Sequence, residues 1–221
     1  MAFNESAPWK RELHLCSEIL RRSQERSYTY SDEDLELSQW DFWGPQTEDI
    51  FQIEKAILLG CIAVRRLSEM PFKVSSDLFR GVEYEVVHFP LKPRKGAPDH
   101  WGALVPFEFY DLSSPLKKKI NPRVMCNYFL HSHVQAAYWQ PVGMSVAESL
   151  IIQEDDPRLG GASMISGVMV TTDHKNESLV LIKLSQLADC FERVSEDDVS
   201  SIRCSRDRDG KLRVDFAGSV N

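Results

Sequence analysis

The chain has 221 residues, of which 43% are hydrophobic and 27% are charged. This length and composition allow it to bury a core as one domain or as one domain with an appendage. Its formal net charge of −7 argues against general electrostatic attraction to nucleic acid or to anionic membranes. Charged side chains interrupt the first twenty residues, and the longest apolar run, AILLGCIAV at 56–64, is about half of a bilayer span. We therefore expect neither a signal peptide nor a membrane helix.

The cysteines and the possible metal ligands limit which redox state and which cofactors we expect. Five cysteines occur at positions 16, 61, 126, 190 and 204, and no two of them form a CxxC pair. Because their number is odd and three of them fall in apolar helical patterns, we expect free thiols in a reduced, cytoplasmic protein. No set of His, Cys, Asp or Glu has the spacing of zinc ligands, so the sequence predicts neither a metal nor another cofactor.

Two long helices are predicted in the first third of the chain. Residues 7–26 carry apolar side chains at helical spacing, with charged residues between them. Residues 47–70 carry a continuous apolar stripe that begins after Thr47, a favourable N-cap residue, and ends before Pro71. The second segment gives the strongest helical pattern in the chain.

The pattern changes to β structure over residues 82–110. The segments VEYEVVHF at 82–89 and ALVPFEFY at 103–110 are rich in β-branched and aromatic residues. A loop containing Pro, Gly and Lys lies between them at 90–102. The sequence therefore predicts an irregular β-hairpin at about 82–110.

A central helix is predicted at 122–139. Asn121 followed by Pro122 is a good helix start, and Pro141 is expected to follow its end. Apolar side chains occupy most of the helix surface, which is typical of a helix in the middle of a protein. We therefore expect this helix to be mostly buried.

The C-terminal third has the predicted order β-β-α-β-β. Strands are expected at 164–172 and 178–184, a short helix at 185–194, and a hairpin formed by 199–205 and 211–217 around Asp209-Gly210. The predicted fold class is α+β, with an N-terminal helical, bundle-like half, an inserted hairpin, and the C-terminal segment packed on the helices. We expect a mainly helical domain at 1–155 and a β-rich subdomain at 162–221, which at about 60 residues would be marginal alone.

One polar stripe interrupts the apolar surface of the central helix. It consists of Arg123, Asn127 and His131, and Gln135 continues the same four-residue spacing. Positions four apart drift by only about 40° around a helix, so the three residues lie within about 80° of one another. We use the name polar stripe for Arg123, Asn127 and His131.

The polar stripe has one chemical and one structural interpretation. Neutral histidine can transfer a proton, arginine can hold a phosphate, and asparagine can orient either group, which together suit phosphodiester cleavage without a metal. In the structural interpretation, Arg123 pairs with a carboxylate such as Glu54, and His131 bonds a backbone carbonyl.

At these residues the sequence resembles the HEPN superfamily of helical domains, many of which are metal-independent ribonucleases. The segment CNYFLH at 126–131 has the family's Asn and His at the family's spacing, whereas Cys126 stands in place of the arginine and Arg123 lies one turn earlier. The resemblance would cover helices 47–70 and 122–139. It implies catalytic roles for Arg123, Asn127 and His131, RNA as substrate, and a homodimer with one shared cleft.

A short basic run precedes the polar stripe. Lys117, Lys118 and Lys119 could supply the positive potential that an RNA substrate needs, although the acidic net charge does not favour such a substrate. Two hypotheses from different classes therefore stay open. The protein is either a HEPN-like metal-independent ribonuclease or a relative of one, or a non-catalytic binding or interaction protein whose polar stripe is structural.

Overall fold

The computed structural model describes most of the chain. The residues described are 6–29, 45–70, 73–75, 77–93, 95–96, 98, 106–132, 134–150, 156, 160–171, 178–210 and 212–218. None of the helices in these ranges is both long enough and apolar enough to cross a membrane.

Six α-helices are present in the described residues, and four of them build the helical layer. The helices are α1 (Ala7–Gln24), α2 (Pro45–Glu69), α3 (Leu78–Gly81), α4 (Pro122–His131), α5 (Val146–Ser149) and α6 (Leu184–Glu196). Helix α1 packs along both α2 and α6, and α4 packs against α2. The helices α3 and α5 are single turns.

Five strands form one antiparallel sheet, and two more form a separate hairpin. The strands are β1 (Tyr84–Pro90), β2 (Leu116–Ile120), β3 (Gln135–Pro141), β4 (Ser163–Thr171), β5 (Ser178–Lys183), β6 (Ser201–Arg206) and β7 (Leu212–Gly218). The order in the sheet is β2-β1-β5-β4-β3, so β2 and β3 are its edges, and β6 pairs with β7.

The core has two parts because successive side chains of a strand point to opposite faces of a sheet. Along β5, Val180 and Ile182 belong to the large cluster shared with α1, α2, α4 and α6. Leu179 and Leu181 belong to a smaller cluster with Phe89, which packs on the other face of the sheet. The helices α1, α2, α4 and α6 therefore cover one face of the sheet.

Close helix packing fixes the position of α2. A Cβ atom added at Gly60 would lie 2.2 Å from Cε2 of Phe191, so glycine lets α2 approach the buried Phe191 ring of α6. At the other side of α6, Arg21 of α1 donates hydrogen bonds to Asp189, at 2.8 Å, and to Glu192. The helical layer is thus joined by packing inside and by ion pairs at its surface.

The α+β class with N-terminal helices is confirmed, and so is the predicted β-β-α-β-β order of the C-terminal third. The helices expected at 7–26, 47–70 and 185–194 correspond to α1, α2 and α6. The five-stranded sheet takes β1, β2 and β3 from residues before 155 and β4 and β5 from residues after 162. The two expected domains thus contribute to one sheet.

The predicted helix at 122–139 is wrong in its second half. Helix α4 ends at His131, and residues 135–141 form β3, which pairs along β4 from Gln135↔Val170 to Pro141↔Ser163. The apolar residues of 136–139 belong to the sheet instead of to a helix, with Tyr138 and Trp139 packed into different clusters. Gln135 therefore does not continue the polar stripe.

The predicted partner strand of the hairpin at 82–110 is also wrong. The first strand is present as β1, but its neighbours are β2 and β5. Residues 106–108 form one turn of 3₁₀ helix, Tyr110 makes an isolated bridge with Leu91, and residues 103–105 lie outside the described ranges. The segment LKKKI at 116–120 has only two apolar residues, and it forms an edge strand whose lysines are exposed.

Candidate active site

The start of α4 is set by local sequence. The side chain of Asn121 accepts a hydrogen bond from the backbone N–H of Val124 at 2.9 Å, and Pro122 occupies the first turn. Met125, Cys126 and Phe129 are buried, at 2% exposure or less. These residues define the face of α4 that packs on the core, so the remaining faces are directed outward.

The end of α4 is set by contacts with β3 and β4. The Ser132 hydroxyl lies 3.0 Å from the Thr171 hydroxyl and accepts a hydrogen bond from the Thr171 backbone N–H at 2.9 Å. Nε2 of Gln135 donates to the Phe129 carbonyl at 2.9 Å, which satisfies one of the last carbonyls of the helix. The residue that precedes Ser132 is His131, so these bonds hold His131 in place at the helix end.

The polar stripe lies on the outward side of α4. Arg123 and His131 are exposed, and Asn127 is half-buried. Among the described residues, Arg123 forms no ion pair with Glu54 or with any other carboxylate. The structural interpretation pairs Arg123 with a carboxylate, and the described contacts of Arg123 include no such pair.

A residue of a second helix joins the polar stripe. Nη1 of Arg65, in the last turns of α2, lies 3.2 Å from Nε2 of His131. A guanidinium can only donate hydrogen bonds, so in a hydrogen bond between these two atoms Arg65 is the donor and Nε2 of His131 is the acceptor. Arg65 also pairs with Glu69 at 3.1 Å, one helical turn along α2.

This arrangement brings a proton acceptor and two cations to one solvent-exposed surface. We call Arg65 together with the polar stripe the α2–α4 site. Arg65 places an arginine close to His131. In the sequence motif, the position expected for such an arginine is occupied by Cys126. The sequence alone could not find Arg65, because 66 residues separate it from His131 and only the packing of α4 on α2 joins them.

The three lysines of the basic run lie on β2, which is a different element from the two helices of the α2–α4 site. Lys117 pairs at 2.9 Å with Glu85 of β1, and Lys119 pairs at 3.8 Å with Glu83, which directly precedes β1. Strand alternation places Lys118 on the opposite face, which is the face that α4 covers. Two of the three charges are therefore partly neutralised, and Lys118 alone extends the positive surface on the α4 side.

A buried histidine lies beneath α4. His88 of β1 is 3% exposed, its Nδ1 is 3.0 Å from the Ser178 hydroxyl, and its ring meets the Tyr128 ring edge-on at 6.2 Å. Burial, with a smaller contribution from the positive charge of Lys118, lowers the pKa of His88 to about 4. His88 is consequently neutral near pH 7 and belongs to the packing between sheet and helix.

Four of the cysteines are structural. All five thiols are free, as the sequence predicted, and Cys16, Cys61, Cys126 and Cys190 are buried. The hydrogen bond with Cys126, followed by burial, raises the pKa of the Cys190 thiol well above its usual value. A protonated thiol is a poor nucleophile, so Cys190 acts as a small apolar group in the core. Cys16, Cys61 and Cys126 are buried in the same core cluster.

A small pocket separates α2 from β3. Its volume is about 20 Å³, and its lining includes Ile53, Glu54, Ile57 and Gln135. This volume holds roughly one water molecule, so the pocket is too small for a metabolite. The described residues contain no group of three or more His, Cys, Asp or Glu arranged to hold a metal ion.

Comparison with known proteins adds no relative. No protein-family model, no curated protein and no solved structure matches this chain.

Proposed function

We propose that the protein is a metal-independent ribonuclease, or a relative of one, and that the α2–α4 site is its catalytic surface. The observation that carries the proposal is the exposed contact between Arg65 and His131, at 3.2 Å. Exposure lets a polymer reach the imidazole, and the guanidinium supplies the phosphate-binding cation that Cys126 cannot supply.

The proposed reaction uses the 2′-hydroxyl of RNA as nucleophile. It attacks the adjacent phosphorus, the bond from phosphorus to the 5′-oxygen breaks, and a 2′,3′-cyclic phosphate and a 5′-hydroxyl result. His131 accepts the proton of the 2′-hydroxyl at Nε2, and water protonates the leaving oxygen. The hydroxide that results takes the proton from His131, which returns the imidazole to its starting state. The phosphate draws the Arg65 guanidinium away from Nε2, which frees the nitrogen lone pair for this step.

The two arginines have separate roles in this proposal. Arg65 adjoins the imidazole and binds the scissile phosphate, where it balances the charge that develops on the phosphoryl oxygens. Arg123, two turns before His131 on α4, binds a neighbouring phosphate. Asn127 lies between Arg123 and His131 along the helix and orients the substrate. Lys118 extends this positive surface toward β2.

Cleavage of a labelled single-stranded RNA in EDTA tests the proposal. His131→Ala should lower the rate by about 10²–10⁴, because the proton acceptor is lost. Arg65→Ala and Arg123→Ala should also lose cleavage, whereas the matched control Arg66→Ala, an exposed arginine next to Arg65, should keep it. The thermal midpoints should stay close to that of the wild type, since Arg123 and His131 are exposed.

The opposite result has an equally clear signature. If the polar stripe is structural, the wild-type protein does not cleave RNA, and His131→Ala is destabilised by about 1–3 kcal/mol through an unpaired partner. An inert wild type, or full activity in His131→Ala, would overturn the ribonuclease proposal.

A second candidate function is a non-catalytic interaction protein, and one observation favours it. Phe51, Leu58 and Ile62 of α2 are 54%, 48% and 39% exposed, and their spacing of seven and four residues places them on one line along the helix. Apolar side chains grouped on a surface in this way commonly mark an interface.

We propose a second copy of the chain as the occupant of this α2 face. Glu54 and Arg65 lie on the same flank of the exposed apolar line, so an antiparallel pair of α2 helices would place unlike charges opposite one another. Sedimentation velocity should then show a dimer that Leu58→Glu converts to a monomer, while Leu116→Glu, at an exposed position on β2, should have no effect. A monomeric wild type would contradict the dimer without bearing on cleavage.

A further inference from the structure

The β6–β7 hairpin stands apart from the body of the protein. Its two strands pair with each other over six positions, and no other helix or strand of the described chain packs extensively on either of them. Residues 202–206 of β6 are all exposed, including Ile202 at 47%. An isolated two-stranded hairpin is at best marginally stable in water, so an exposed one is expected to gain stability from a bound partner.

The hairpin is basic although the protein is acidic. Residues 201–218 contain five basic and three acidic residues, which gives a net charge of +2, so the remainder of the chain carries −9. In the described part of the hairpin, Arg203 and Arg208 are exposed and make no ion pair, while Nη1 of Arg206 donates to the Gly210 carbonyl at 2.8 Å. Two guanidinium groups are therefore available to an anion.

The base of the hairpin is hydrogen-bonded to the segment that follows α2. Asp197, between α6 and β6, accepts hydrogen bonds from the backbone N–H of Ser75 at 2.5 Å and from its hydroxyl at 2.8 Å. Ser75 follows the end of α2 by six residues, and Arg65 lies in the last turns of the same helix. Ten residues of chain thus join Arg65 to Ser75, which holds the base of the hairpin.

We infer that the β6–β7 hairpin is an RNA-binding arm that contacts the phosphates of a single strand held at the α2–α4 site. The inference rests on the proposed function, because it takes RNA as the common ligand. Arg203 and Arg208 contact phosphates, and the hydroxyl of Ser201 can donate a hydrogen bond to a phosphate oxygen. Charge selects the ligand, since the hairpin is a basic part of an acidic chain and is therefore a part that attracts a polyanion.

Counterion release gives the size of the expected effect. For single-stranded nucleic acid, each phosphate neutralised by a cation contributes about 0.7 to the slope of log K against log salt concentration. The slope is negative, and losing the contacts of Arg203 and Arg208 should reduce its magnitude by about 1.4. When the salt concentration rises from 50 to 200 mM, both proteins lose affinity for RNA. The factor by which affinity falls should be about seven times smaller for the arm variant than for the protein with the unmodified arm.

Fluorescence anisotropy with a labelled single-stranded RNA measures this difference. All proteins carry His131→Ala, so that the RNA is not consumed, and the arm variant adds Arg203→Gln and Arg208→Gln. The matched control adds Arg11→Gln and Arg22→Gln, two exposed arginines of α1, and so changes the net charge equally. We expect weaker binding and a lower salt slope for the arm variant, and an unchanged slope for the control.

Each outcome bears on one proposal. Equal slopes for the arm variant and the control would overturn the RNA-binding arm, whether or not the wild type cleaves RNA. Arm-dependent binding by a protein that never cleaves RNA would keep the arm and reject the nuclease. A dimer that the arm substitutions dissociate in the absence of RNA would also overturn the inference, because the arm would then bind a second copy.

Discussion

Replacing His88 with glutamine should remove a specific part of the pH dependence of stability. His88 is 3% exposed, and its pKa is lowered from the usual 6.5 to about 4, chiefly by burial and also by Lys118. The folded state therefore keeps His88 neutral at pH values where the unfolded chain binds a proton. Stability from this residue is complete above about pH 6.5 and is lost as the pH falls toward 4.

The two pKa values give the magnitude of the loss. A difference of one pKa unit corresponds to about 1.4 kcal/mol, so the full loss below pH 4 is about 3 kcal/mol. Between pH 7 and pH 5, where the native protein still has His88 neutral, the loss is about 2 kcal/mol. For a protein of this size, that loss lowers the thermal midpoint by about 4–8 °C.

Urea unfolding of the wild type and of His88→Gln at pH 7, 6 and 5 isolates the contribution of His88. Glutamine can keep the hydrogen bond to Ser178 but does not titrate. The carboxylates titrate alike in both proteins, so the difference in unfolding free energy should shift by about 2 kcal/mol in favour of His88→Gln from pH 7 to pH 5. A difference that stays constant over this range would show that His88 is not held neutral by burial.

Three further predictions concern the core. Gly60→Ala should destabilise the protein by about 1–3 kcal/mol in urea unfolding, because its Cβ would meet the buried ring of Phe191, whereas Gly81→Ala has open space and should be neutral. Phe129→Ala should cost about 3–5 kcal/mol, since the ring is 2% exposed, and a thermal midpoint within a degree or two of wild type would contradict this burial. Alkylation followed by mass spectrometry should label Cys204 alone in the native protein and all five cysteines after denaturation; a disulfide-linked peptide pair would contradict free thiols.

Elements with a complete local signal could be predicted from the sequence. Helix α2 combines a continuous apolar stripe with a terminating Pro71, and the β6–β7 hairpin has Asp209-Gly210 at its turn, where Gly210 adopts a φ of +76°. In both cases the residues that determine the structure lie within the element itself, so no distant contact was needed.

Elements that depend on distant contacts could not be predicted. The apolar residues after His131 continue a helical pattern as well as they fit a strand, and the decision between the two is made by pairing with β4 and by the Ser132–Thr171 contact, 39 residues apart. Strand β2 was missed because its three lysines hide the pattern of a strand. Lysines are nevertheless well suited to an edge strand, since they oppose pairing with another chain.

Part of the candidate site could likewise be predicted from local sequence, and part depends on distant contacts. The shared face of Arg123, Asn127 and His131 follows from helical spacing within Pro122–His131 and could be predicted. The exposure of that face could not, because an apolar surface predicts burial without saying which side meets the core. The contact with Arg65 required the packing of two helices, which spacing along one chain does not contain.

Rescue of His131→Ala by free imidazole tests the central claim most directly. His131 is exposed, so a small base can reach the position that its ring leaves. In EDTA, the variant should cleave single-stranded RNA only when imidazole is added, at a rate above that of imidazole alone, and the same addition should not restore Arg65→Ala. Failure of the wild-type protein to cleave RNA, or of imidazole to change the rate of the inactive His131→Ala variant, would contradict His131 as the proton acceptor.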